Sequence, residues 1–441
     1  MLIADALIRK YPHGYDELGS LFSRFVKGIF DINAESYGES GVPFLRILNF
    51  RKGLIDDNNV ALIPEEIHAS EIKTELRRGD IVLSKTAYPA ASMVTLDRCN
   101  TSQDTIATTL SDYGHDSYTP ETIVVYLNSM LGQQLLWRQF QGNVQLHLSL
   151  DDGRKVPIPK FSPKLQTNIS HTFKQSIEKI KCAKTMYSQA EVLLLETLGL
   201  VDFSPSTEAV NIKSFKESFA STGRLDAEYY QPKFDELEAK ISETHPLVSL
   251  SSVLTLNQRG TQPDYTDEGL PVINSKHVRE GEVLLSDNRV ATVPDKENPL
   301  LIQNGDVLIN GTGVGTIGRS APYLHEQKAI PDNHVTILRT EKLNPIFLSV
   351  YLNSIAGKYQ VDKYFKGSSG QIELYPKDID CFYVPLVNES IQTKIAALVQ
   401  QSFTLKAESN RLLEVAKHAV EIAIEQDEKA GFAYIEANTV E

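Results

Sequence analysis

The stretch "YLNSMLGQQLLWRQFQGN", residues 126–143, occurs a second time in the chain as "YLNSIAGKYQVDKYFKGS", residues 351–368. Three further blocks repeat in the same order: "VPFLRILNFRKGLI" (42–55) with "LPVINSKHVREGEV" (270–283), "RRGDIVLSKT" (77–86) with "QNGDVLINGT" (303–312), and "VPIPKFSPKLQTNI" (156–169) with "VPLVNESIQTKI" (384–395). Tyr351 follows Tyr126 by 225 positions, and Gly305 follows Gly79 by 226. A nearly constant offset over four blocks predicts a tandem duplication.

Each copy begins with a globular unit of mixed, mostly β structure. Short β-branched and aromatic runs alternate with turn-forming residues, which is typical of strands. These runs are "DIVLS" (80–84), "TIVVYL" (122–127), "DVLIN" (306–310), "HVTILR" (334–339) and "CFYVPL" (381–386). Two longer blocks, "YTPETIVVYLNSMLGQQLLWRQF" and "LNPIFLSVYLNSIAGKYQVDKYF", predict helices that begin near a proline. The predicted fold class is therefore α+β.

A long amphipathic helix follows each globular unit. Apolar residues recur mostly at steps of three and four from Gln166 to Leu198, and a similar stripe runs from Ile391 to Gln426. A helix of about 33 residues is about 50 Å long, more than one small β unit covers. Each apolar stripe could pack on its own globular unit, but the repeat favours pairing of the two helices as an antiparallel coiled coil. The residues predicted to pair are Ile169, Phe173, Ile177, Ile180 and Leu194 with Ile395, Leu398, Leu412 and Val415.

The chain can therefore be divided into six segments. The predicted boundaries are 1–160 for the first globular unit, 161–200 for the first long helix, 201–245 for a surface linker with short helices, 246–388 for the second globular unit, 389–430 for the second long helix, and 431–441 for a C-terminal tail. Gly199 is expected to terminate the first long helix, because glycine is favoured just after a helix.

The composition indicates an ordinary globular protein. The chain has 441 residues, 41% hydrophobic and 23% charged, and a formal net charge of -13. That charge argues against a non-specific nucleic-acid binder, but a sequence reader can present a locally basic groove. The three dispersed cysteines, Cys99, Cys182 and Cys381, fit a reducing cytoplasm. We see neither a signal peptide nor an apolar run long enough to cross a membrane, and expect a cytoplasmic location.

Motifs for chemistry are missing from the sequence. There is no Walker motif, no H-E-x-x-H, no G-x-S-x-G and no clustered Cys and His, so we expect neither catalytic residues nor a metal site. "GVGTIG" (313–318) matches the dinucleotide pattern G-x-G-x-x-G. That pattern requires a helix at its third glycine, whereas Pro322 and Pro331 interrupt the following stretch. The first copy has "SKTAYPAASMV" in place of these glycines. A structural turn or a loop that contacts a phosphate backbone therefore explains the glycines better than a cofactor site does.

The duplicated arrangement resembles the specificity (S) subunit of type I restriction–modification enzymes over nearly the whole chain. The blocks that carry the resemblance are "GDIVLSKT", "GDVLINGTGVGTIGRS", "NHVTILR", "FKGSSGQIELYPKDIDCFYVPL" with "QTKIAALV", and "GRLDAEYYQPKFDEL". The first copy departs from the family pattern because it lacks the glycine-rich turn. Its beginning, "IRKYPHGYDELGSLF", is also only loosely similar to "RLDAEYYQPKFDEL".

The resemblance implies a non-catalytic protein that binds double-stranded DNA. Each globular unit would be a target recognition domain for one half of a bipartite, asymmetric sequence, and the paired helices would set the spacer between the halves. Two adenine methyltransferase subunits would be recruited, joined in some enzymes by ATP-driven restriction subunits. S-adenosylmethionine would be bound by the methyltransferases, and no cofactor by this chain.

Side chains that read base edges are expected on loops of both globular units, because Arg, Lys, Asn, Gln, Ser and Thr match the hydrogen-bonding groups of the major groove. The candidates in the first unit are Arg46, Asn49, Arg51, Lys52, Lys85, Thr86, Tyr88, Gln141, Asn143 and Gln145. The candidates in the second unit are Asn274, Lys276, His277, Arg279, Thr312, Thr316, Arg319, Ser320, Lys366, Ser368, Ser369 and Gln371.

Two other functions remain open at the level of sequence. A coiled-coil scaffold with two protein-binding modules and no DNA role would fit the acidic charge. A nucleotide-binding enzyme would use the glycine-rich loop 311–318, and binding of S-adenosylmethionine or NAD by the isolated chain would support it.

Overall fold

The computed structural model describes residues 2–30, 32, 34–50, 53–57, 60–142, 146–208, 210–292, 300–367, 370 and 372–439. Its α-helices are α1 (Leu2–Arg9), α2 (Glu65–Ser70), α3 (Asp112–Ser117), α4 (Pro120–Asn128), α5 (Met130–Gln139), α6 (Leu150–Arg154), α7 (Pro163–Thr197), α8 (Phe219–Thr222), α9 (Pro232–Ser242), α10 (Pro345–Asn353), α11 (Ile355–Tyr364), α12 (Pro376–Ile379), α13 (Glu389–Glu425) and α14 (Glu428–Thr439).

The strands before the first long helix are β1 (Tyr15–Glu17), β2 (Phe22–Lys27), β3 (Val42–Leu45), β4 (Gly53–Leu54), β5 (Ala61–Ile63), β6 (Leu76–Arg77), β7 (Ile81–Ser84), β8 (Ala91–Met93), β9 (Arg98–Thr101), β10 (Thr105–Leu110), β11 (Phe140–Gln141), β12 (His147–Leu148) and β13 (Pro157–Pro159). Those after it are β14 (Leu247–Ser249), β15 (Leu256–Arg259), β16 (Tyr265–Thr266), β17 (Leu270–Ile273), β18 (Val278–Arg279), β19 (Glu282–Val283), β20 (Val290–Ala291), β21 (Val307–Asn310), β22 (Ser320–Pro322), β23 (Ile330–Pro331), β24 (Val335–Arg339) and β25 (Tyr383–Pro385).

The chain forms two compact units. Unit 1 comprises residues 1–182 and 405–441, and unit 2 comprises residues 183–404. The predicted globular segments 1–160 and 246–388 therefore fall in different units, and each long helix contributes one half to each unit. The mixed α+β fold class is confirmed.

Four strands of the main sheet have the same order in both units, and unit 1 adds β4 at one edge. In unit 1 the order is β2-β10-β7-β8-β4, and in unit 2 it is β15-β24-β21-β22. The central strands are antiparallel: Ile106 of β10 lies opposite both Lys27 and Leu83, just as Ile337 of β24 lies opposite Gln258 and Leu308. A second sheet accompanies each main sheet, with the order β5-β3-β9-β6 in unit 1 and β16-β20-β17-β23 in unit 2. The duplication is thus one of topology as well as of sequence.

The repeated stretch at 126–143 forms two helices where the sequence predicted one, and "TIVVYL" lies in the first of them. Pro120 occupies the first turn of α4, and the Thr119 side chain accepts a hydrogen bond from the Thr122 backbone N–H. The helical conformation is interrupted at Ser129. Its extended backbone ends α4, and its side chain caps the N-terminus of α5. Gly132 follows, and an added Cβ there would lie 2.0 Å from the Tyr126 carbonyl oxygen. No other residue fits this close approach.

The asparagine of the repeated "YLNS" ties these helices to the main sheet. The Asn128 side chain accepts from the Ala91 backbone N–H at 3.2 Å and donates to the Ala91 carbonyl oxygen at 2.7 Å. Asn353 makes the same pair of bonds with Ser320, at 2.9 and 2.8 Å. Because a buried amide is costly without partners, these two-way bonds fix the helix against one strand position. They explain why the repeat is so similar at this point.

The long helices α7 and α13 pair in antiparallel fashion within each unit, as predicted. In unit 1 the Ser409 hydroxyl donates to the Ser176 carbonyl oxygen at 2.7 Å. In unit 2 the Ser402 hydroxyl donates to the Ala183 carbonyl oxygen, also at 2.7 Å. From the first contact to the second, α7 advances by seven residues and α13 goes back by seven. The antiparallel register of the helix pair is therefore the same at both contacts. At both contacts the residues that face each other are serine or alanine. Such small side chains let the two helix backbones approach closely.

The residues predicted to pair the helices are mostly buried. Ile169, Phe173, Leu194, Ile395, Leu412 and Val415 are buried, whereas Ile177, Ile180 and Leu398 are partly buried. Ile169 and Phe173 also belong to the hydrophobic core of unit 1, and Leu194 and Ile395 to that of unit 2. The two alternatives that the sequence left open therefore both hold, because the stripes pack on the partner helix and on the globular parts. The left-handed backbone of Gly199, with φ of 67°, follows α7 as expected.

Two segments outside the predicted globular units and long helices are more closely packed than the sequence indicated. Within the predicted linker 201–245, helix α9 buries Phe234, Leu237 and Ile241, and the last two belong to the core of unit 2. The predicted tail forms most of helix α14, which packs closely on α13, since an added Cβ at Gly431 would lie 2.8 Å from the Ala419 carbonyl oxygen. Neither segment has an apolar pattern long enough to predict from the sequence that it packs against the rest of its unit.

Candidate nucleic-acid interface

The loops at one end of the neighbouring strands β2, β10 and β7 of unit 1 lie side by side, and we call this region the loop edge. It consists of residues 27–30, 84–90, 101–105 and 147–148. The Gly28 N–H donates to the Thr105 carbonyl oxygen at 3.1 Å, and the Lys85 N–H donates to the Asp104 carbonyl oxygen at 2.7 Å. The turn 101–105 is therefore held between the end of β2 and the end of β7.

The loop after β7 is held from its other side by the segment that follows α5. The Leu148 N–H donates to the Lys85 carbonyl oxygen at 2.8 Å, and Thr86 forms a β-bridge with His147. The Ser84 hydroxyl accepts from the Ala90 N–H at 2.7 Å, which closes the loop across its base. Tyr88 lies at the outer part of this loop, with 37% of its surface exposed.

Unit 2 builds an equivalent loop edge from residues 259–262, 310–319, 331–335 and 373–374. The Gly260 N–H donates to the Val335 carbonyl oxygen at 2.9 Å, and the Gly311 N–H donates to the His334 carbonyl oxygen at 2.8 Å. The Leu374 N–H donates to the Gly311 carbonyl oxygen at 2.8 Å. Each bond matches one in unit 1, so the two loop edges share a backbone framework although their side chains differ.

The glycine-rich stretch is the hairpin loop between β21 and β22. Gly313, Gly315 and Gly318 have φ values of 93°, 77° and 77°, which suit glycine because a Cβ disfavours this region. The Gly318 N–H donates to the Asn310 carbonyl oxygen at 2.8 Å. A Cβ added to Gly318 would lie 2.5 Å from the Val361 side chain. Strand β22 follows where a dinucleotide site requires a helix, so this loop does not have the geometry of a dinucleotide-binding turn.

Eight predicted contact residues lie in or beside the two loop edges. In unit 1 they are Lys85, Thr86, Tyr88 and Gln141, the last in β11, which pairs with β12. In unit 2 they are Thr312, Thr316, Arg319 and Lys366. The Thr312 hydroxyl is 2.9 Å from Nδ1 of His334, and Lys366 pairs with Glu373 in a β-bridge. The structure thus gathers side chains from distant parts of each copy.

Four candidates are buried and therefore serve the fold. Asn49 accepts from the Arg46 N–H at 3.0 Å and donates to the Asp56 carbonyl oxygen at 3.2 Å. His277 is buried with Nδ1 bonded to the Asn274 N–H at 3.1 Å. Thr86 and Ser320 are also buried, so none of these four side chains is exposed for contact with DNA in this structure.

The other described candidates lie on a different part of each unit. Arg46 begins the turn after β3 of the second sheet, and Lys276 and Arg279 lie near the β18 hairpin. Lys276 forms an ion pair of 2.7 Å with Asp287. The remaining candidates lie outside the described residues: Arg51, Lys52, Asn143, Gln145, Ser368, Ser369 and Gln371.

A cation at one equivalent position of both loop edges was not predicted from the sequence. Lys27 and Arg259 end equivalent strands, and a glycine follows each of them. A Cβ at either Gly28 or Gly260 would lie 2.2 Å from a carbonyl oxygen of the neighbouring turn. The signal available in the sequence was therefore a cation followed by glycine, "KG" in one copy and "RG" in the other.

The two loop edges differ in charge. In unit 1, burial lowers the pKa of Lys85, and the nearby charge of Lys27 lowers it further. In unit 2, Arg259 lies 3.5 Å from the carboxylate of Glu373 and donates to the Asn333 carbonyl oxygen at 2.5 Å. Unit 1 has two lysines and Asp104, whereas Arg259 of unit 2 is paired with Glu373, so the first loop edge is the more attractive for an anion.

The described residues offer no site for metal chemistry. No group of three or more His, Cys, Asp or Glu side chains in the described part of the chain is arranged to hold a metal ion. Nor does that part contain a helix of the length and apolar character needed to cross a membrane.

Solved structures of type I restriction–modification S subunits are similar to this chain. An S subunit from M. genitalium is 14% identical, with a TM-score of 0.41, and the similarity covers 93% of this chain and 95% of that one. An HsdS subunit from Thermoanaerobacter tengcongensis is 14% identical, with a TM-score of 0.30 and coverage of 94% and 97%. A chain from a study of complex assembly and conformational transition of the type I R-M system is 16% identical, with a TM-score of 0.30 and coverage of 95% and 99%. No protein-family model and no curated protein sequence matches. At these TM-scores the similarities do not by themselves establish a function.

Proposed function

We propose that this chain is the DNA-recognition subunit of a type I restriction–modification enzyme and that it reads a bipartite, asymmetric sequence. The observation that carries the proposal is the duplicated loop edge. The same backbone hydrogen bonds support two different sets of side chains, at Lys85 and Tyr88 in one unit and at Thr312 and Arg319 in the other. Two domains that recognise different half-sites need a common backbone structure that carries different side chains at the DNA-facing positions.

The paired helices are the second support for the proposal. Two readers that are coupled rigidly bind a two-part site at high effective concentration once one of them is engaged. Their separation then selects the distance between half-sites. Bonds such as that between Ser409 and Ser176 make a register slip of α13 against α7 costly, because a slip would leave buried groups unpaired.

The chain would act without catalysis of its own. Its proposed partners are double-stranded DNA, two adenine methyltransferase subunits and, in a restricting enzyme, restriction subunits. S-adenosylmethionine would be bound by the methyltransferases, which supply the methyl group. The side chains at the loop edges would bind and orient DNA so that a target adenine on each half reaches a methyltransferase.

Methylation mapping in the host tests this proposal. Deleting the gene should abolish N6-methyladenine at one two-part motif, and a plasmid copy should restore it. Purification of the tagged full-length chain should recover an adenine methyltransferase. An unchanged methylation pattern together with no recovered methyltransferase would contradict the proposal, and would favour the scaffold function that the net charge of -13 suggested.

A further inference from the structure

Two lysines of unit 1 stand on either side of the turn 101–105. Lys27 is the last residue of β2, and the N–H of the next residue, Gly28, bonds that turn. Lys85 follows β7 and bonds the same turn through its own backbone N–H at 2.7 Å. Since β2 and β7 flank β10 in the sheet, the two lysines lie at the same end of it, and the charge of Lys27 acts on Lys85.

The charge of this pair is not balanced within the protein. Asp104 is the acidic residue that acts on Lys85, and Lys27 opposes it. In the described part of the chain neither lysine forms an ion pair, and the ammonium group of Lys27 lies 4.6 Å from the ring centre of Phe30. Phe30 itself is 70% exposed. Lys85 therefore has one acidic neighbour, and Lys27 has an exposed aromatic ring beside it.

The equivalent positions of unit 2 are balanced. Arg259 occupies the position of Lys27 and has Glu373 as its acidic partner, at 3.5 Å. Gly311 occupies the position of Lys85, so the second cation is missing. Lys366 beside this edge is bonded to Asp378 at 2.6 Å. The folding framework therefore does not require the lysine pair, because unit 2 forms the same framework without it.

Positive charge that is not balanced within the protein attracts an anion to this edge. A phosphodiester carries one negative charge and accepts hydrogen bonds from two ammonium groups at once. We propose that Lys27 and Lys85 form a clamp for a phosphate of the DNA backbone, which unit 2 lacks. The inference rests on the proposed function and adds to it that unit 1 supplies the larger share of sequence-independent attraction to DNA.

A salt titration of DNA binding tests the clamp. The full-length chain is titrated into a fluorescent duplex of random sequence, roughly 30 base pairs long, at increasing NaCl concentration. The double variant Lys27→Met with Lys85→Met should lower the magnitude of the slope of log K against log[NaCl] by about 0.9, since the clamp neutralises one phosphate. The control Lys10→Met with Lys155→Met removes the same charge from unit 1 and should leave the slope within about 0.5 of the unsubstituted chain. Equal slopes for both double variants would overturn the clamp.

Acetylation of the unsubstituted chain gives an independent reading if the variant folds poorly. Bound duplex should protect Lys27 and Lys85 from an acetylating reagent several-fold and leave Lys10 and Lys155 unprotected. Binding of the duplex without protection of Lys27 and Lys85 overturns the clamp and leaves the proposed function standing. A chain that fails to bind the duplex at any salt concentration, even with its methyltransferase, overturns both.

Discussion

The hydroxyl of Ser409 donates a hydrogen bond of 2.7 Å to the backbone carbonyl oxygen of Ser176, between two antiparallel helices. The two hydroxyl oxygens are also 3.2 Å apart, and both side chains are buried. This contact is possible because neither side chain is larger than serine. Helix pairing at this point therefore depends on side-chain size more than on apolar character.

A larger side chain at Ser409 should weaken the helix pair. Ser409→Leu forces extra volume into a close contact and removes a hydrogen bond, so we expect a loss of about 1–3 kcal/mol in the free energy of unfolding. Urea denaturation followed by circular dichroism measures it. Asn410→Leu, at the exposed neighbouring position of the same helix, is the control and should cost less than about 0.5 kcal/mol. Equal effects of the two substitutions would contradict the packing described here.

Lengthening both long helices should change the spacer of the DNA site. Seven residues inserted in the region 177–183 of α7 and seven in the region 402–408 of α13 preserve the pairing face and add about 10 Å of helix. With about 3.4 Å of DNA per base pair, we expect the spacer to grow by about three base pairs and both half-sites to stay the same. Sequencing of methylated sites measures this change. A spacer that stays the same length would exclude a ruler function for the helices.

Substitution at the loop edge of unit 2 should affect one half-site. Thr312→Ala with Arg319→Ala removes two polar groups from the glycine-rich hairpin. We expect relaxed base preference at one half, with a penalty of about 1–3 kcal/mol for each base that is no longer read. The matched substitution Tyr88→Ala in unit 1 should relax the other half. Loss of both half-sites from either variant would point to misfolding, which thermal denaturation would detect.

The carboxyl group of Asp332 gives a pH test of unit 2. Burial raises its pKa above the usual value, although the carboxylate accepts the His334 N–H at 2.9 Å. A pKa that is higher in the folded state means that ionisation opposes folding, so this group favours the folded state more as the pH falls. Asp332→Asn should therefore raise the urea midpoint at pH 7, and the gain should shrink as the pH approaches about 4, where the unfolded chain also takes up the proton.

The control for this pH test is Asp267→Asn, at an exposed position of the same unit. It should leave the urea midpoint unchanged at both pH values. A gain for Asp332→Asn that persists undiminished at low pH would show that the ionisation of Asp332 is not its cause.

The architecture was accessible from sequence because its determinants are local or repeated. The stripes of α7 and α13 follow a helical period, and the fixed offset between copies exposes the duplication. The break at Ser129 was missed because its capping bond forms only once the chain turns there. Helix α9 was assigned to the linker because three buried residues, Phe234, Leu237 and Ile241, make too short a stripe to distinguish docking from exposure.

The site was only partly accessible from sequence. The loops that carry Lys85 and Thr312 could be identified by comparing the copies. The burial of Asn49 and His277 could not, since polar residues are mostly exposed and their partners here come from turn geometry. Lys27 was missed because its position at the loop edge depends on how closely Gly28 approaches a distant turn.

Selection of DNA by the full-length chain tests the central claim most directly. The chain, purified with its methyltransferase, is incubated with duplexes of random sequence, and the bound fraction is sequenced through several rounds. We expect a motif of two short, different, specific halves separated by unspecified bases of constant number. A single continuous motif, two halves at variable separation, or no enrichment would contradict the claim that two coupled units read one DNA site.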